Sequence, residues 1–142
     1  MRFSTKTRYG IRAMIEIAME EGKEGVFQKD IAEKQNLSVK YLDHIIAALK
    51  IAGLISSFKG RKSGYKLNRS AESITMYDIH LAFENGICVI DCLCENFECD
   101  REKECAVLDF WKGLNTQIID YLKSTSLADI VAKKVNLMSS LS

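Results

Sequence analysis

The chain has no apolar run approaching the roughly 20 residues needed to cross a bilayer, so a membrane span is not expected. It has no internal repeat and no low-complexity segment, which excludes solenoids and compositionally biased tails. A secretory signal is not expected either. The first residues are charged, and Arg12 and Glu16 interrupt the apolar stretch that follows. An even cysteine count is also missing: the five cysteines lie within the eighteen residues from Cys88 to Cys105, which is not the layout of a disulfide framework. The expected location is the cytoplasm. A 47% apolar content argues for a folded core, and 142 residues suffice for one or two small domains.

A strong net charge is absent too, but the formal value of +1 conceals an asymmetry. Residues 1–70 hold 14 Lys/Arg against 7 Asp/Glu, a balance of +7; residues 71–142 hold 6 against 12, a balance of −6. A basic half suits a polyanion, and the acidic half does not. The plainer reading is that two solvated faces simply differ.

Residues 8–21 carry a wide helical stripe (Tyr9, Ile11, Ala13, Met14, Ile15, Ile17, Ala18, Met19), so a buried first helix is expected, ended by Gly22 and Gly25. Val26 and Phe27 read as a short strand or an extended lead-in. Residues 28–35 form a short helix with Ile31 and Ala32 inward, then a tight break at 36–38 in which Ser38 caps the next helix, 39–52. That helix buries Leu42, Ile45, Ile46 and Leu49; Lys40, Tyr41 and His44 share its other side, with Asp43 at the margin. A strand at 54–58, a turn at 59–64 bearing Lys59, Arg61 and Lys62, and a return strand at 65–67 make a hairpin with a basic tip. The expected fold class is therefore mainly α with a small β-hairpin wing: a winged helix-turn-helix over residues 1–70. A second helix of this kind fits the DNA major groove, and a basic tip reaches phosphates or the minor groove. A small α+β domain that binds protein is the competing reading.

Residues 71–142 are expected to form a cysteine loop and a helical dimerisation region. A helix at 74–84 precedes the loop. A long one at 106–123 carries the stripe Leu108, Trp111, Leu114, Ile118, Tyr121 and Leu122, which a second subunit would cover; packing on its own domain is the alternative. A last short helix is expected over 126–135, starting at the cap-like Ser126, with frayed residues after it.

The chain resembles the iron–sulfur-linked winged-helix regulators of the IscR, NsrR and CymR type. The resemblance rests on the opening Met1-Arg2-Phe3-Ser4-Thr5-Lys6-Thr7-Arg8-Tyr9-Gly10, on Asp30-Ile31-Ala32-Glu33, Tyr41-Leu42-Asp43 and Ala52-Gly53-Leu54-Ile55, on Gly60 through Gly64-Tyr65-Lys66-Leu67, and on Leu127-Ala128-Asp129-Ile130. It is closest in pattern to the IscR-like members. It implies a homodimeric regulator that binds double-stranded DNA, as a palindromic operator. By position it implies DNA contacts from Ser38, Lys40, Tyr41, Asp43, His44, Lys59, Arg61 and Lys62. Asp43 would tune specificity, because a carboxylate is repelled by phosphate but accepts from cytosine. The wing turn of the family often holds a proline; this chain has no proline and a more electrostatic tip.

The resemblance also implies an iron–sulfur cluster, of 2Fe–2S or 4Fe–4S type, on three cysteines. Cys99 and Cys105 match the second and third, and Trp111 follows at the family spacing. Cys94 or Cys92 supplies the first. The histidine that completes the IscR-type set is replaced by Leu108, and Arg8 stands where NsrR-type members can use an acidic ligand. Cys92, Cys94, Cys99 and Cys105 together offer four soft thiolates from one subunit, which leaves Cys88 as a packed extra thiol. Cys105 is expected at the start of the long helix, where the helix terminus favours negative charge. Zinc lacks the usual paired two-residue gaps. Thiol–disulfide switching and a metal-free regulator of the CymR type under a protein partner are further alternatives. No enzymatic activity is expected: a small redox protein would use the same cysteines but leave the basic half unexplained.

Overall fold

The computed structural model describes residues 2–20, 25–58 and 64–141. Helix α1 (Thr5–Met19) starts at Ser4, whose hydroxyl accepts from the Thr7 amide at 3.1 Å, and it buries Ala13, Met14 and Ile17. Helix α2 (Gln28–Gln35) ends at Asn36, which takes the left-handed conformation at φ 53°. Helix α3 (Val39–Ile51) buries Leu42, Ile45, Ile46 and Leu49, the stripe that its three- and four-residue spacing implies.

Strands β1 (Ile55–Ser57) and β2 (Tyr65–Leu67) pair antiparallel, with Ile55 opposite Leu67 and Ser57 opposite Tyr65. On the other side of β2, Val26 exchanges backbone hydrogen bonds of 2.9 and 2.8 Å with Tyr65, so the extended lead-in acts as a one-residue third strand. This approach demands glycine. A Cβ on Gly64 would sit 2.6 Å from the Val26 backbone, and one on Gly25, at φ +76°, would sit 2.8 and 2.9 Å from the Tyr65 and Gly64 backbones.

A 3-10 turn, Ala71–Ser73, leads to helix α4 (Met76–Leu81), where Thr75 and Asp78 cap each other reciprocally. Helix α5 (Leu108–Ser124) and helix α6 (Leu127–Leu141) complete the chain. The mainly helical fold with a small hairpin is the one the sequence predicts.

Helix bounds differ from expectation: α1 begins at Thr5 rather than at residue 8, α5 begins at Leu108 rather than at 106, and α4 and α6 differ as well. Helix α4 is shorter than 74–84: Ile74 and Thr75 are extended, with Thr75 capping the helix, and it ends at Leu81. Helix α6 runs to Leu141 rather than stopping at 135: residues 136–141 hold no glycine or proline, so nothing breaks the helix.

One core joins residues from both sides of position 70. Met14, Ile17, Ile31, Leu42, Ile45 and Leu49 pack in the same cluster as Ile74, Ile79 and Leu127. Helix α1 is its hub, touching α2, α3, α4, α6 and β2. The carboxylate of Glu16, only 4% exposed, lies among these contacts. It accepts from the Gln35 amide at 2.6 Å and pairs with the Lys134 ammonium, tying α1 to α2 and α6. Helix α5, by contrast, buries none of its residues, and Phe110 and Tyr121 are 63% and 73% exposed. Among the described residues, no helix is long and apolar enough to cross a membrane.

Leu127 is fully buried although it opens the last helix. Leu127→Ala is expected to lower folding stability by about 2–5 kcal/mol through the cavity it leaves, measured as a fall in the urea midpoint at unchanged slope.

Candidate nucleic-acid interface and cysteine centre

The exposed start of α3 forms the first candidate site. Ser38 caps it, its hydroxyl accepting from the Tyr41 amide at 3.0 Å. Lys40, Asp43 and His44 are exposed beside it. Tyr41 departs from the expected outer face. It is half-buried, edge-on to Tyr9 with ring centroids 5.6 Å apart, and the Arg12 guanidinium lies 5.1 Å from the Tyr9 ring centre.

Asp43 is also already engaged. The side-chain amide of Gln28 donates to the Val39 carbonyl at 2.9 Å and to Asp43 Oδ1 at 2.6 Å. Gln28 thus sets the start of α2 against the start of α3, and only the other carboxylate oxygen of Asp43 is left without this contact. Sequence reasoning missed Gln28, because a glutamine opening a short helix carries no distinguishing signal. At the far end of α2, Arg12 donates to the Gln35 side chain at 2.7 Å and to its carbonyl at 2.8 Å. The two-helix unit is therefore held at both ends by side chains of defined geometry.

The hairpin rises beside this unit. Its stem carries Lys66, with the ammonium 5.0 Å from the Phe58 ring centre, and Lys50 of α3 approaches Tyr65 at 5.7 Å. Lys59, Arg61 and Lys62, the three expected wing contacts, lie outside the described residues.

The second candidate site is the loop between α4 and α5, built on the short 3-10 turns Asp91–Leu93 and Glu102–Glu104. At its entry His80 is buried, with Nε2 2.9 Å from the Gly86 carbonyl. A carbonyl only accepts, so Nε2 carries the proton. The loop is pinned to α5 where the Val89 amide donates to Asn115 Oδ1 at 2.9 Å, another contact without a sequence signal.

The cysteines divide into two groups. Cys88 and Cys94 form a disulfide, with Cα atoms 5.3 Å apart. Cys92, Cys99 and Cys105 are free thiols, the first exposed and the other two half-buried. Partial desolvation, then the charge of Cys99 and its hydrogen bond, with a smaller contribution from Cys105, raise the Cys92 thiol above its ordinary pKa.

Three expectations change accordingly. Cys88 is a bonded half-cystine and not a packed thiol. Cys94 has its sulfur committed to Cys88, so the set Cys92, Cys94, Cys99 and Cys105 is not brought together in this form. Cys105 ends a 3-10 turn, and α5 begins three residues later at Leu108, so the thiol does not sit at the helix start. Among the described residues, no three His, Cys, Asp or Glu side chains converge tightly enough to hold a metal ion. The donor chemistry of Cys92, Cys99 and Cys105 suits iron; the loop as it stands does not close around it.

With this geometry established, comparison with known proteins is informative. Residues 3–133 match the model of the Rrf2 family, described as an iron-dependent transcriptional regulator. The chain belongs to the Rrf2 family. It is 36% identical over 131 residues to protein rrf2 of Nitratidesulfovibrio vulgaris, covering 92% of this chain and 87% of that one. Among solved structures it is similar to CymR, the global cysteine regulator of B. subtilis, at TM-score 0.75 and 33% identity over 94% of this chain and 98% of that one. It is similar also to IscR of T. potens, at TM-score 0.73 and 33% identity over 94% and 88%. The resemblance to IscR, NsrR and CymR regulators is borne out. The protein is a transcriptional regulator and not an enzyme, and membership of this family implies DNA binding.

Removing the cap should loosen α3 without touching the core. Ser38→Ala is expected to cost about 1 kcal/mol, read from the denaturant midpoint. Hydrogen exchange should show the loss concentrated in the first turn of α3.

Proposed function

We propose that this regulator reads double-stranded DNA as a homodimer, with residues 1–70 as the reading head and 71–142 as the cysteine loop and dimerisation region. Ser38, Lys40, Tyr41, Asp43 and His44 present α3 to the major groove, and Lys59, Arg61 and Lys62 bring the wing to the backbone. The observation that carries this reading is the capped, exposed start of α3, locked to α2 through Gln28 and flanked by the hairpin. In this arrangement Lys40 and His44 can reach base edges or phosphates. Tyr41 sets the helix on Tyr9, and Asp43 is oriented by Gln28. Dimerisation through α5 is supported by its exposed Phe110, Leu114 and Tyr121, which the chain does not cover by itself. A palindromic operator in the cytoplasm follows from two identical heads.

The signal enters at the cysteine loop. Cys92, Cys99 and Cys105 are the proposed thiolate ligands of an iron–sulfur cluster, of 2Fe–2S or 4Fe–4S type, with Cys94 available to join them only as a free thiol. Such a cluster, when bound, supplies a redox- and iron-sensitive centre. The influence of Cys99, and to a lesser degree Cys105, on the Cys92 thiol supports this reading. The loop must close further to bind, and it is linked to α5 through Val89 and Asn115, so closure changes the seat of the dimer helix. A metal-free regulator under thiol control, closer to CymR, is favoured by a different observation, the Cys88–Cys94 disulfide.

Lys40→Ala combined with Arg61→Ala is expected to weaken binding to a duplex selected from random sequence. It should also lower the slope of log K against log salt by about 2, one per lost phosphate contact. Unchanged salt-dependent binding would remove α3 and the wing from the interface. Protein purified without oxygen is expected to be coloured, with iron and sulfide in equal amounts, and Cys99→Ala or Cys105→Ala to lose both. Colourless wild-type protein after cluster reconstitution would overturn the cluster and favour the metal-free reading.

A further inference from the structure

The cysteines lie within one loop, yet the fold sorts them by partner. Cys88 and Cys94 are six positions apart with Cα atoms 5.3 Å from each other, inside the range that a disulfide spans without backbone movement. The ring they close encloses the Asp91–Leu93 turn and therefore Cys92 at its centre. Backbone bonds within the ring are already in place, from the Leu93 amide to the Ile90 carbonyl at 3.1 Å and from the Cys94 amide to the Asp91 carbonyl at 3.0 Å. Within the ring, the Val89 amide also anchors it to Asn115 of α5. Cys94 Sγ lies 3.7 Å from the Ile90 carbonyl oxygen, so a reduced Cys94 thiol has an acceptor waiting. Both sulfurs belong to half-buried residues of a loop rich in exposed side chains, within reach of small oxidants and reductants.

We propose that Cys88 and Cys94 are a reversible thiol–disulfide site, distinct from the Cys92, Cys99 and Cys105 set. A hydroperoxide closes it and a small dithiol opens it. Closing it withholds the Cys94 sulfur from metal and fixes the turn that presents Cys92. In the closing step the sulfur of one thiolate attacks a peroxide oxygen, the O–O bond breaks, and hydroxide leaves a sulfenic acid. The second thiol attacks that sulfur, the S–O bond breaks, and the departing hydroxide takes its proton as water. Two thiols and one hydrogen peroxide become one disulfide and two waters; the sulfurs are oxidised and the peroxide oxygens reduced. In the opening step a dithiol such as dithiothreitol attacks through a mixed disulfide and leaves as its own cyclic disulfide, returning both protons and electrons to the cysteines. The bond stands on its own geometry; only its consequence for metal uptake rests on the cluster reading above.

The test uses the full chain without metal, reduced, freed of reductant and exposed to one equivalent of hydrogen peroxide. Free thiols are then alkylated and counted. Cleavage before aspartate and after glutamate separates Cys88 and Cys99 from the Cys92–Cys94 peptide, and fragmentation of that peptide distinguishes its two cysteines. The expected result is a fall from five reactive thiols to the three of Cys92, Cys99 and Cys105, with a Cys88–Cys94 cross-link that dithiothreitol removes. Cys92→Ser should form the same cross-link, and Cys88→Ser should leave Cys94 open to alkylation. A cross-link between Cys92 and Cys99 instead, or five reactive thiols, would sink the proposal. In a second arm, ferrous iron and sulfide are added anaerobically to oxidised wild type and to Cys88→Ser. The variant is expected to take up more iron, and equal uptake would overturn the withholding of Cys94. Should neither form take up iron, the cluster reading fails, while the thiol map still decides the redox site.

Discussion

A carboxylate placed inside a core must find partners, because burying an unpaired charge costs far more than folding can supply. Glu16 is that carboxylate. Its partners come from two other helices, the Gln35 amide at the end of α2 and the Lys134 ammonium on α6, with Lys34 at 3.9 Å. These contacts tie α1 to both α2 and α6. The apolar cluster around Met14, Leu42 and Leu127 provides the driving force for collapse; Glu16 adds directional contacts between the helices that surround it. Arg12, one turn away on α1, repeats the device by holding Gln35 through both its side chain and its carbonyl.

That arrangement also gives the cysteine loop a continuous physical connection to the α2–α3 helix pair. The loop is pinned to α5 through Val89 and Asn115. The turn between α5 and α6 is stitched to the entry of α4 by the Met76 amide on the Thr125 carbonyl at 2.9 Å and the Leu127 amide on the Ile74 carbonyl at 2.7 Å. Helix α6 then reaches Glu16, and Glu16 reaches α2. Every link is a packed contact or a hydrogen bond, so displacement of the loop has a route to the helix pair. Cys88, Cys94, Cys99 and Cys105 lie half-buried in this loop, and Cys92 is exposed.

Much of the reading head was legible in the residues. The spacing of Leu42, Ile45, Ile46 and Leu49 has one solution on a helix, Ser38 is a cap wherever it precedes such a stripe, and two glycines around a basic turn make a hairpin. The side of α3 that Tyr41 takes was not legible. Its aromatic ring can pack as well as reach, and only Tyr9, on another helix, decides between them. The engagement of Asp43 by Gln28 is equally silent in the sequence, since it depends on the angle between α2 and α3. The end of α6 was misjudged because a weakly patterned tail reads as frayed, although nothing in it stops a helix.

The sequence by itself determined the architecture, the order of its elements and the concentration of thiols in one loop, because periodicity, caps and turn residues act over a few positions. Tertiary structure alone decided how those thiols are shared. Cys88 is bonded to Cys94 while Cys92, Cys99 and Cys105 stay free, for reasons that lie in the path of the loop between Gly86 and Leu108 and in its anchor on α5. Spacing along a chain states which cysteines are near one another in order. A short irregular loop can turn any of them inward, and only its three-dimensional course selects the partner.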